Sequence, residues 1–185
     1  MFECAEELRT LLRSSGDKQL TELAELLAMQ EELDKEILKE RGITSYPKEN
    51  IQMALFVELA EMLNELPTLF KYWKKKAKDN REKALVEYVD ALHFAMSLTN
   101  EDADEILISG ETLGEIQCKF TYGGKWTARN KVSLIRLCIR LMEQSPWKVG
   151  YLFKIGLLLD FTWDEIYKAY KEKNEINYQR LKEGY

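Results

Sequence analysis

The stretch from Phe56 to Glu65, FVELAEMLNE, sets carboxylates into a segment whose apolar residues recur at helical spacing. A charged side chain taken out of water is costly unless it is paired or holds a metal, so the segment either turns these acids outward or uses them. On a helix Glu58 and Glu61 project from one face, and Glu65 lies one turn further along it. A second apolar segment repeats the pattern: in EYVDALHF, Glu87 and Asp90 have the same separation, surrounded by Leu85, Val86, Val89, Leu92 and Phe94. Pro67 should interrupt the first helix, and Asp79-Asn80 offers a cap for the second. Glu61 precedes Pro67 by about as much as Glu87 follows the Asp79-Asn80-Arg81 turn, so an antiparallel helix pair would hold all four carboxylates at one height.

Four converging carboxylates repel one another in a low-dielectric site and make sense only with a compensating cation. Oxygen-only ligands point to a hard ion, Mg²⁺ or Mn²⁺, which keeps some water and bridges to phosphate. The rival reading treats each pair as a solvated helix face with ordinary salt bridges. That suits any single ExxE, but recurrence on two helices that are apolar almost all round weighs against it. A di-iron carboxylate bundle fails on ligand count, because it needs a carboxylate-x-x-His unit on two helices and His93 is the only histidine. His93 therefore reads as a residue beside the site rather than a ligand.

With 185 residues, 45% of them hydrophobic and 32% charged, and few Pro or Gly, the chain suits one all-α domain. Helical periodicity covers residues 18–40, 50–66, 81–99, 129–144, 147–159 and 162–182. It weakens from about 100 to 128, where ISGETLGEIQ and FTYGGKWT read as turns, a short hairpin or a mobile flap. Neither glycine-rich stretch has the strand-before, helix-after context of a phosphate loop. A net charge of −5 gives no general attraction to nucleic acid. Cys4, Cys118 and Cys138 are too scattered for a disulfide framework or a zinc site and read as thiols in a reducing cytoplasm. The acidic start MFECAEELRTLL does not read as a signal peptide, and no segment has the length of a membrane span, so a soluble cytoplasmic protein is expected.

The chain closes on KNEINYQRLKEGY, where Lys173, Asn177 and Arg180 share one helical face and Gly184 can terminate the helix. An ammonium, an amide and a guanidinium together suit phosphate oxygens, with a solvated C-terminal helix as the plain alternative.

ELAEMLNE, FKYWK, EYVDALHF and FTWDEIYKAYKEKNEINYQRLKEGY together resemble the all-α, dimeric dUTP pyrophosphatase family, in the form common in phages and Gram-positive bacteria. The resemblance implies an all-α helical bundle spanning 1–185 as a single domain, with a core of about 18–99 plus 160–185 and a mobile cap over about 100–159. It implies Mg-dependent hydrolysis of dUTP to dUMP and pyrophosphate, with dUDP left open as a second substrate. Glu58, Glu61, Glu87 and Asp90 would bind Mg²⁺, with Mn²⁺ as a substitute, and Glu58 or Glu61 would orient or deprotonate the attacking water. Lys71, Lys173, Asn177, Arg180 and Tyr185 would hold the phosphates; Gln30 and Asp34 would lie near base and sugar, and Phe70 and Trp73 would wall in the uracil. A homodimer is implied, its pocket completed by the second subunit. The alternatives are an all-α pyrophosphatase for another nucleotide and a non-enzymatic helical interaction or regulatory protein.

Overall fold

A computed structural model describes residues 2–108 and 128–184, and among these the chain forms eight α-helices and no strand. They are α1 (Phe2–Ser14), α2 (Lys18–Glu40), α3 (Lys48–Asn64), α4 (Arg81–Glu101), α5 (Ala103–Ile108), α6 (Ala128–Gln144), α7 (Lys148–Leu158) and α8 (Trp163–Lys182), with a 3₁₀ turn at Pro67–Leu69. Six of them fall where the periodicity expects helices. The periodicity reading did not single out α1 or α5. α1 earns its place by burying Ala5, Leu8 and Leu12 on one face, and α5 is a short turn of helix resuming directly after α4.

Caps mark the ends that position the site. Asp17 accepts from Leu20 N at 3.1 Å to open α2, and Asn80 accepts from Lys83 N at 3.1 Å to open α4. Asp79, expected to share that cap, instead receives the backbone N–H and hydroxyl of Thr68, tying down the 3₁₀ turn. At the C-terminal end of α2, Gly42 takes a φ of 62°, which lets Ile43 N reach back to Leu38 O at 2.9 Å.

α3 and α4 run antiparallel. Asn80 N bonds to Glu65 O at 2.8 Å where α3 ends and α4 begins, and Lys48 at the start of α3 pairs with Asp102 at the end of α4. α8 lies along α2 through Trp163 Nε1 to Glu22 at 2.5 Å and Tyr167 Oη to Glu25 at 2.8 Å, and along α4 through the Arg81–Glu165 pair. α7 is part of the core rather than an outlying layer: Trp147, Val149, Leu152 and Ile155 are buried with Tyr88 and Leu92 of α4. It lies within the stretch for which a mobile cap is expected. The expected turns, hairpin or flap fall mostly on 109–127, outside the described residues, as does Cys118.

Candidate active site

The antiparallel α3–α4 pair brings Glu58 and Glu61 opposite Glu87, and one carboxylate oxygen from each lies within 4.8 Å of the others. Asp90 stands one turn along α4 and pairs with Lys173 Nζ of α8 at 2.7 Å. The crowding is electrostatically visible. Burial, then Asp90, Glu61 and Glu87, push Glu58 up to about 7, with Lys173 opposing. Glu87 is raised by burial and by Asp90 and Glu61. Three acids sharing one small volume, with Lys173 already paired to a fourth, form a donor set that fits a hard divalent cation.

Beside the acids opens a cavity of about 390 Å³, large enough for a nucleotide. Its lining carries charged and amide groups from Glu58, Asp90, Lys173, Asn177 and Arg180. It also carries apolar Leu33, Ile37, Ile51 and Phe94 and the polar group of Gln30, Asp34, His93 and Ser97. Gln30 and Asp34 are bonded to each other, Nε2 to Oδ1 at 2.8 Å. Burial pushes Asp34 up to about 6 against the hydrogen bonds of Ser97 and Gln30. Buried His93 meets Gln30 through Nδ1 at 2.6 Å and stacks on Tyr170 at 4.2 Å.

Other expected residues lie elsewhere. Lys71 bonds to Asn64 Oδ1 at 3.3 Å, one turn beyond Glu61 on α3. Phe70 and Trp73 meet edge to face at 6.4 Å on the connection from α3 to α4; neither lines the cavity, and Phe70 borders an apolar recess with Leu63, Val132 and Ile139 instead. Tyr185 lies outside the described residues. Ser97 and Tyr46 line the cavity and Tyr170 bonds to Gln30 beside it, but all three escaped the sequence reading. The available signal was register: Ser97 follows His93 by one turn and Tyr170 precedes Lys173 by one.

Fold and site together define an all-α protein with an acidic cluster at the mouth of a nucleotide-sized pocket. Residues 22–185 match the family described as dUTPase, and the chain belongs to that family in its all-α form. It is a dUTP diphosphatase, and its reaction is the hydrolysis of dUTP. No curated protein sequence matches the chain.

Proposed function

We infer that the chain hydrolyses dUTP to dUMP and pyrophosphate with Mg²⁺, water attacking the α-phosphorus in line with departing pyrophosphate. The observation that carries this reading is the approach of Glu58, Glu61 and Glu87 oxygens to within 4.8 Å, beside a cavity that Lys173, Asn177 and Arg180 also line. Glu58, Glu61, Glu87 and Asp90 would hold the ion or ions, with Mn²⁺ as a substitute. Divalent charge there makes water a better acid and neutralises the leaving group. Glu58 or Glu61 orients the attacking water and takes its proton. Lys173, Asn177 and Arg180 would face the phosphates, with Lys173 released from Asp90 if that carboxylate held the ion, and would offset charge developing on the bridging oxygen. Lys71 and Tyr185 complete the phosphate contacts. The nucleoside then lies toward Gln30 and Asp34. We assign the active form as a homodimer acting on the cytoplasmic nucleotide pool, with Phe70 and Trp73 closing the partner's pocket.

Pyrophosphate release from dUTP, dCTP, dTTP and UTP, with and without EDTA, tests this reading. dUTP should be preferred, EDTA should stop release, and Mg²⁺ should restore it. Glu61→Gln should lower kcat by roughly 10²–10⁴-fold, the range for loss of a positioned base. Release undiminished by EDTA would remove the metal from the reaction, and preference for another base would make the chain a pyrophosphatase of different substrate.

A further inference from the structure

α6 and α7 form a hairpin across Ser145-Pro146-Trp147, and a recess of about 440 Å³ opens between them. Leu134, Leu137, Cys138 and Leu141 line it from α6 at i, i+3, i+4 and i+7, and Tyr151, Lys154 and Leu157 line it from α7 at three-residue steps. Each stripe runs for about two helical turns, roughly 10 Å. Leu137 is 48% exposed and Leu141 40%, so the described residues leave this apolar surface uncovered. The hairpin is also the basic part of the chain. Residues 128–158 hold six Lys or Arg and one acid, Glu143, although the whole chain carries a net charge of −5. Lys131 pairs with Asp160, and Lys148 with Asp102. Arg140 is exposed with no ion pair among the described residues, and Lys154 lies over the Tyr151 ring at 5.4 Å. Arg140 follows Leu137 by three residues and precedes Leu141 by one, so each helix sets a cation beside the apolar stripe.

We propose that this groove docks an amphipathic helix of a partner protein, with apolar side chains at i, i+4 and i+7 inserted between α6 and α7 and Asp or Glu beside them facing Arg140 and Lys154. Two turns of apolar stripe on each helix match the reach of such anchors. Opposite charge steers the approach and fixes the register. A second copy of this chain suits the groove poorly, because two-fold pairing of groove to groove sets two basic surfaces against each other. An anionic bilayer takes up a convex apolar face, whereas these leucines line a recess. Nucleic acid needs a broad basic face, and here leucines occupy the middle. None of Glu58, Glu61, Glu87 and Asp90 lines the recess, so substitutions in it leave the hydrolytic site intact.

The full chain is tested against a displayed library of helical peptides with leucine fixed at i, i+4 and i+7 and every flanking position random. Binders selected on the wild type and counter-selected on Leu137→Asp should be enriched in Asp and Glu beside the leucines. A labelled peptide from that set, followed by fluorescence anisotropy, should bind Leu137→Asp and Arg140→Glu about tenfold or more weakly than it binds the wild type. The same peptide with lysine for glutamate should bind Arg140→Glu better than it binds the wild type. Both side chains are exposed, so the variants should fold, and dUTP hydrolysis at the wild-type rate by each checks that they do. No binder at all, the outcome if the chain covers its own groove, overturns the proposal, as do enrichment in Lys and Arg or equal affinity for the variants. A loss of sedimenting mass in Leu137→Asp would make a second copy the occupant. Flotation with phosphatidylserine vesicles of the wild type but not of Leu137→Asp would make it a bilayer. Either result also overturns the proposal.

Discussion

Asp34 is a carboxylate held against its own preference. Burial raises it from an ordinary 3.8 to about 6, so the folded chain favours the protonated form more than the unfolded chain does. The sign follows from linkage. Below about pH 4 the group is protonated in both states and costs nothing; the penalty grows as pH rises toward 6 and is complete above it. Asp34→Asn keeps an oxygen for Gln30 Nε2 and removes the charge. It should stabilise the protein by about 1–2 kcal/mol at mildly alkaline pH, less than the full rise from 3.8 to about 6 implies because Asp34 retains some exposure. The gain should vanish in acid, which urea unfolding at the two pH values would read. At this scale the carboxylates were legible, because three-residue spacing on two apolar helices is visible without a structure. The surroundings of His93 were not. Its hydrogen-bond partner, Gln30, lies 63 residues away in the chain, and a single histidine offers no spacing to read.

Between elements, α7 comes close to α4 at Gly156. A Cβ added at Gly156 would meet Tyr88 Oη at 2.7 Å, and that ring is fully buried with its hydroxyl on Leu152 O at 3.2 Å. Gly156→Ala should therefore destabilise by about 1–2 kcal/mol even though alanine gains up to about 1 kcal/mol in helix propensity. Tyr88→Phe should recover part of that loss in the double variant, a coupling that a general loss of packing would not give. α8 is fastened differently. Thr162 and Glu165 form a capping box, and Glu165 also takes Arg81 of α4 at 2.8 Å. Arg81, then Thr162, hold Glu165 down at about 2. Its contribution is thus present above the ordinary carboxylate range and is lost as pH falls through about 2. Glu165→Ala should cost about 1–2 kcal/mol near neutrality, a cap plus an exposed ion pair, and the deficit measured by urea unfolding should shrink toward pH 2. The helix spans themselves were readable wherever an apolar stripe ran for several turns. α5 has too few residues to show a period, and packing, mainly against α1, rather than local propensity accounts for it.

At the scale of the whole molecule the question is where the aromatic connection between α3 and α4 acts. Tyr72 is 94% exposed and Trp73 61%, and α3 adds exposed Met53 and Val57. Such side chains are common at the centres of protein interfaces. Neither Phe70 nor Trp73 lines the cavity of its own chain. In a two-fold dimer each chain offers the same surface to the other, so a segment remote from its own pocket can serve its partner's. Mixing two defective chains decides between the arrangements. Trp73→Ala would remove the aromatic wall proposed for the uracil, Glu58→Gln removes an acid of the cluster, and each pure variant should hydrolyse dUTP poorly. Co-refolded at equal concentration, chains of the proposed homodimer would form mixed dimers, each with one pocket holding an intact Glu58 and the partner's intact Trp73. Half the dimers are then mixed and half the pockets in each are whole, so activity should recover to about a quarter of wild type. If Trp73 serves its own chain, every pocket in the mixed dimer still carries one lesion, and the mixture should stay no more active than its components.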